Sequence, residues 1–129
     1  MHAFIVDLPN RPGSLADVCE AVAAAGANIT GVTGSTAGNA GQVTLTTDDM
    51  EGTRTAIGAR GWPFREVVLV TAVLEHRPGT LAAAARGLAN AGINIDAMFV
   101  IGMDGEKVQV AFGVSNAAAA GAALGEMAS

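Results

Sequence analysis

LPNRPGSLADVCEAVAAAGANI, residues Leu8–Ile29, comes round again as LEHRPGTLAAAARGLANAGINI, residues Leu74–Ile95. The two stretches align without a gap at an offset of 66 residues, and eleven of their 22 positions are identical. Alanine richness inflates such a count. However, Leu8, Arg11, Pro12, Gly13, Leu15, Gly26, Asn28 and Ile29 also find their own kind at Leu74, Arg77, Pro78, Gly79, Leu81, Gly92, Asn94 and Ile95. The chain is an internal duplication, and each copy is one structural unit.

Working outward, each copy reads through the same elements. His2–Leu8 and Val67–Leu74 are short apolar runs rich in β-branched residues, as strands are. Arg-Pro-Gly then punctuates the chain, because Pro fixes one φ and Gly opens conformations closed to other residues. Ser14 and Thr80 stand where helix N-caps belong. Leu15, Val18, Cys19 and Val22 make one apolar helical stripe, which Leu81, Ala84, Ala85 and Leu88 repeat with smaller side chains. Gly26 and Gly92 occupy the C′ position of those helices.

Second strands are expected over Asn28–Ser35 and Asn94–Gly102, followed by turns at Ala37–Gly41 and at Asp104-Gly105. Third strands over Gln42–Thr47 and Lys107–Val114 lead to helices from Met50 to about Arg60 and from Ala117 to about Met127. Gly61-Trp62-Pro63 closes the first copy before a strand near Phe64. Strand–helix–strand–strand–helix–strand is the order of a ferredoxin-like unit. The expected fold is therefore α+β, with two tandem βαββαβ units at 1–66 and 67–129. At an offset of 66, Pro63 corresponds to the last residue, so the second unit is expected to lack its last strand. There is no linker, and the fourth strand of one unit should run straight into the first of the next. A bare apolar edge on Val67–Leu74 would invite pairing, so it is expected to be covered, either by the other unit or by a second chain, and a homodimer is expected.

Composition narrows the function. Half of the 129 residues are hydrophobic, enough for a core. The net charge of -5, with no basic cluster, argues against nucleic acid. Aromatics are 4% with no Tyr, which removes the stacking platforms of single-strand RNA readers. Cys19 is alone, so neither an internal disulfide nor a cysteine metal cluster can form; on its apolar stripe it reads as a small core residue. Asp7 and Pro9 interrupt the only apolar run near the N-terminus, and no stretch approaches the roughly 18 apolar residues of a membrane helix. A cytoplasmic protein without a membrane partner is expected.

Catalysis needs a nucleophile beside a base, paired carboxylates or a metal cluster. The two histidines, His2 and His76, and the lone Cys19 show neither triad nor zinc spacing. The glycines of GVTGSTAGNAG, residues 31–41, fit neither the dinucleotide nor the P-loop pattern. No catalytic residue, metal or cofactor is expected, and the chain is read as not an enzyme.

The sequence from Asn10 to Leu15 or His76 to Leu81, followed by a helix ending Ala-Gly-x-Asn-Ile, resembles the ACT domain of amino-acid-responsive regulators. The first copy is similar to the serine-sensing ACT domain of 3-phosphoglycerate dehydrogenase. The resemblance implies an amino acid or related small metabolite bound where two units meet. Asn10, Arg11, Pro12 and Gly13 would face Asn94 and Ile95, and His76, Arg77, Pro78 and Gly79 would face Asn28 and Ile29. Physical reasons favour such groups: the first amides of a helix attract a carboxylate, and an Asn amide both donates and accepts. Serine preference does not carry over. The histidine of the serine-sensing pattern is Leu8 here, and His76 stands for the second motif asparagine.

The same residues also have a plain structural reading. Pro-Gly turns and Gly C-caps serve the fold whether or not anything binds. Asn28 and Asn94 can satisfy backbone groups after the helix, and Arg11 and Arg77 read as solvated surface charges ahead of anion ligands. The functional expectation is a small-molecule-binding regulatory protein acting in trans on a metabolic enzyme or pathway. The alternative is a ligand-free adaptor, a regulatory subunit that assembles with an enzyme.

Overall fold

The computed structural model describes every residue, Met1–Ser129. Two compact units are present: His2–Glu66, and Val67–Ser129 with Met1 beside it. The first contains β1 (His2–Pro9), α1 (Ser14–Ala24), β2 (Ile29–Ala37), β3 (Ala40–Thr47) and α2 (Met50–Ala59). A single strand, β4 (Phe64–Glu75), spans the boundary at Glu66. The second unit goes on through α3 (Thr80–Asn90), β5 (Ala97–Asp104), β6 (Lys107–Val114), α4 (Ala117–Leu124) and a 3-10 turn at Gly125–Met127.

In the first unit β1 runs antiparallel to β3, from Phe4 opposite Leu45 to Pro9 opposite Ala40. β2 closes onto β3 as a hairpin whose turn is Gly38-Asn39, with Gly38 at φ 59°. On the free side of β1, the Asp7 N–H donates to the Pro63 carbonyl at 2.9 Å, bringing the chain alongside just before β4. The strand order β2-β3-β1 with β4 beside β1 is ferredoxin-like. Side chains alternate across each strand, so Phe4, Val6, Leu8, Val43 and Leu45 share one face. They are buried there against Val18 and Val22 of α1 and Ile57 of α2.

The second unit repeats this with the order β4-β6-β5. Leu74, Val108, Val110, Phe112 and Val114 meet Ala84 and Leu88 of α3 and Ala120 and Leu124 of α4. No fourth strand forms. Instead Ala128 makes a single bridge to Ala72, and the Ser129 N–H donates to the Thr71 carbonyl at 2.9 Å. The Leu69 N–H donates to the Met1 carbonyl at 2.9 Å. The edge of Val67–Leu74 is therefore partly covered by Met1 and the last residues of the chain.

Three local expectations are corrected. Ser14 and Thr80 are the first helical residues, not caps; the N-caps are Gly13 and Gly79, at φ 94° and 91°. β5 starts at Ala97, three residues later than expected. Asn94 Nδ2 donates to Asp96 Oδ1 at 3.1 Å, a local side-chain bond of the sort that competes with strand pairing. Finally, the offset of 66 holds only through Val100. Val32 faces Leu45 and Met98 faces Phe112, because the β5–β6 register shifts between Val100 and Gly102. From β6 onward the offset is 67. The side-chain caps agree: Asp49 accepts from the Gly52 N–H and Asn116 from the Ala119 N–H.

Candidate functional site

Both Arg-Pro-Gly turns are built the same way. Pro9 ends β1 and its carbonyl accepts from the Arg11 N–H at 3.0 Å and from Ser14 Oγ at 2.7 Å. The Arg77 N–H donates to the Glu75 carbonyl at 2.9 Å, and Thr80 Oγ1 donates to the same carbonyl at 2.7 Å. Each hydroxyl therefore ties its helix start back to the preceding strand instead of capping the helix. The cap position holds a glycine with no side chain to offer. The Ser14 and Thr80 N–H groups close back on the Arg11 and Arg77 carbonyls at 3.3 and 3.5 Å, and the next amides of each first turn are left for solvent or a ligand.

The turns are also pinned to the hairpin beside them. The Asn10 N–H donates to the Asn39 carbonyl, and Asn10 Nδ2 to the Gly38 carbonyl, both at 2.9 Å. The His76 N–H donates to the Glu106 carbonyl at 2.6 Å. A strand–turn–helix on one side and a hairpin on the other leave a groove between them in each unit.

The first groove has a volume of about 480 Å³ and is lined by Leu8, Asn10, Arg11, Ser14 and Leu15, with Val32–Thr36 of β2 and Gly41–Val43 of β3. The second, also about 480 Å³, is lined by Leu74, His76–Leu81, Met98 and Val100 of β5, and Val108 and Val110 of β6. Both volumes fall in the range of small-molecule sites. Neither lining contains a carboxylate, and each contains one arginine, Arg11 or Arg77. A further cavity of about 430 Å³ lies on the other side of the second turn, lined in part by Glu75, Lys107 and Met127. Arg77 lines it too, and its other two charges are paired with each other. Lys107 Nζ donates to Glu75 Oε1 at 2.7 Å, which holds the Glu75 carboxyl below the usual carboxylate range.

Of the residues singled out in the sequence, Asn10 and Arg11 line the first groove, and Pro12 and Gly13 shape its turn. His76, Arg77, Pro78 and Gly79 line the second. Asn28, Ile29, Asn94 and Ile95 do not share their own unit's groove. β2 pairs with Thr47 at its Ile29 end and with Ala40 at its Ala37 end, and the groove's turn lies at the Ala40 end. The Asn28 N–H donates to Asp48 Oδ1 at 2.8 Å, and its carbonyl accepts from the Asp48 N–H. Ile29 and Ile95 pack against the cores of their units.

Sequence reasoning missed Leu15 and Leu81. Their stripe placed them in the core, yet they are 53% and 41% exposed and line the grooves, while Val18 and Leu88 are fully buried. It also missed Val32, Met98 and Val100, which are apolar, exposed and on edge strands. Their unexplained exposure is the signal. Elsewhere, no three His, Cys, Asp or Glu side chains converge as metal ligands would. His2 lies 3.4 Å from Glu66, and Cys19 is half-buried.

Residues 2–57, from β1 into α2, match the ACT domain family. Over that span the chain is similar to an ACT domain. That span and the second unit together are similar to a crystal structure of a Bacteroides thetaiotaomicron protein, with TM-score 0.79 and 20% identity over 95% of this chain and 85% of that one. The ligand-free regulatory subunit of aspartate kinase from Thermus thermophilus matches with TM-score 0.71 and 20% identity, covering 98% and 91%. A structure of aspartokinase alpha and beta subunits matches with TM-score 0.68 and 24% identity, covering 95% and 89%. At such identities the likeness is one of fold. No curated protein matches the sequence. No helix is long and apolar enough to cross a membrane.

Proposed function

We propose that this chain is a regulatory protein that binds an amino acid or a related small metabolite and acts in trans on a metabolic enzyme. The observation that carries the reading is the duplicated groove: a glycine-capped helix start, one arginine and no carboxylate, in a cavity of small-molecule size. Such a lining suits a carboxylate, which the helix dipole and the arginine both favour. The contact residues proposed are Asn10–Gly13 in the first unit and His76–Gly79 in the second. The ACT match supports a regulatory rather than a catalytic role, and the fold neighbours include a regulatory subunit of aspartate kinase.

A thermal-shift screen of the full chain against the twenty amino acids and their biosynthetic intermediates tests this. A ligand at about 100 times its dissociation constant stabilises by roughly 2.7 kcal/mol. A flat response across the panel favours the adaptor reading, in which the chain assembles with an enzyme and binds no metabolite; copurification would then identify the enzyme. Self-association belongs to the proposal, since β5 is an edge strand and its Met103, outside the groove, is 62% exposed.

A further inference from the structure

The two grooves occupy the same place in their units, but their walls have diverged. Leu8 and Leu15 on the floor and rim of the first have Leu74 and Leu81 as counterparts in the second. The opposite wall differs. Through the register of the two hairpins, Val32 corresponds to Met98, Gly34 to Val100, and Gly41 to Val108. Two glycines become valines, and a valine becomes the longer methionine. On the groove face the first keeps Asn10, Ser14 and Thr36, while Thr33, Ser35 and Gln42 line it through their backbone, because alternation turns their side chains to the other face, where Gln42 Nε2 donates to Asp7 Oδ1. The second has His76 and Thr80 on its turn and no polar side chain from its strands. Arg77 is the second groove's only arginine, and the nearby Glu75 is held by Lys107 at the neighbouring cavity.

From this contrast we infer that the two grooves take different ligands: the first a small polar amino acid, the second a carboxylate with a branched aliphatic side chain. The inference rests on the ligand-binding reading above and adds a specificity for each groove. In the second groove the carboxylate faces Arg77, and the alkyl group lies between Leu81 and Met98–Val100. These side chains are already exposed, so a ligand covers apolar surface that the fold leaves in water. A free amino acid and its 2-oxo acid share this chemistry.

The experiment uses isotope-labelled full-length protein titrated with L-serine, L-alanine, L-leucine and 4-methyl-2-oxopentanoate, following backbone amide shifts. Leucine, its oxo acid, or both should move Leu81, Met98 and Val100, and the response of each tells amino acid from oxo acid. Serine should move Asn10, Ser35 and Gln42. Three extra carbons are each worth roughly 4-fold when fully buried, so in an open groove leucine should exceed alanine by about 10-fold at the second site. Val100→Thr keeps the β-branched shape and should weaken leucine by roughly 3- to 5-fold. The converse variant, Val32→Met with Gly34→Val, should bring leucine into the first groove. A Cβ at Gly34 meets its nearest atoms at 3.7 Å, an ordinary van der Waals contact, and circular dichroism checks that the variant folds. If serine moves the first groove while neither aliphatic acid moves the second, the inference falls and the ligand-binding reading stands. Leucine shifts confined to the first groove would also overturn it. Silence at both grooves would remove both.

Discussion

Gly13 holds φ 94° and ψ -15°, a left-handed conformation at the entry to α1, and nothing lies within 4 Å of where its Cβ would be. A substitution there meets no steric wall, so its cost is the backbone term alone. For an L-residue that term is about 1–2 kcal/mol. Gly13→Ala should therefore destabilise the first unit by about 1–2 kcal/mol, and Gly13→Val by about 2–3 kcal/mol because branching adds to the strain. Gly13→Asn should recover part of the loss, since Asn tolerates this region. For a unit of this size each kcal/mol lowers the melting temperature by about 4–8 °C. The readout is the fluorescence of Trp62, the only tryptophan, half-buried in the first unit under the Arg60 guanidinium at 4.6 Å. The order expected is wild type, Asn, Ala, Val. If Gly13→Ala melts with wild type, or Asn does no better than Val, the turn is not left-handed in solution and the glycine-capped groove loses its basis.

Glu66 accepts two bonds from Arg54, from Nε and Nη2, both at 2.7 Å, and this holds its carboxyl below the usual range; the contact with His2 acts the same way, and partial burial opposes both. A depressed carboxylate pKa adds stability above the unfolded value, about 4.3, that disappears as pH falls through the folded value. The melting-temperature gap between wild type and Glu66→Gln should thus be constant above about pH 5 and shrink below it; a gap unchanged down to pH 3 would refute the ion pair. Leu88→Ala, fully buried, should cost about 2–5 kcal/mol in denaturant titrations. Leu81→Ala, 41% exposed, should cost well under half of that, and equal losses would return Leu81 to the core. Light scattering should find a dimer that Met103→Lys weakens. A monomer at high micromolar concentration would remove the role given to the β5 edge.

The repeat made most of the architecture legible. Helical and strand periodicities are local properties of the chain, and two copies of each pattern reinforced one another. Lys107–Val114 was read without error, and Met50 and Ala117 were correctly placed as helix starts. Boundaries failed where a side chain offered the backbone a local partner, as Asn94 and Asp96 do before β5. The corrected caps have a related cause. Ser14 and Thr80 are cap-forming residue types, but carbonyls five residues back lie within 2.7 Å of their hydroxyls. That proximity exists only once the strand and helix have folded against each other.

The site divides in the same way. By itself the sequence determined the Arg-Pro-Gly turns, because Pro and Gly act on their own backbone and need no distant neighbour. It could not tell Leu15 from Val18, or Leu81 from Leu88, since all sit on one apolar stripe. Only the tertiary structure decided which end of that stripe the sheet covers. β1 and β3 reach Val18 and Val22 but leave Leu15 beside the open hairpin, and α3 repeats the arrangement in its own unit. The divergence of the two grooves was equally hidden, because a one-residue register shift at Ile101 moves the offset from 66 to 67. A linear offset alone aligns residues that the paired strands do not. Register is a property of two strands at once, and a linear pattern records only one.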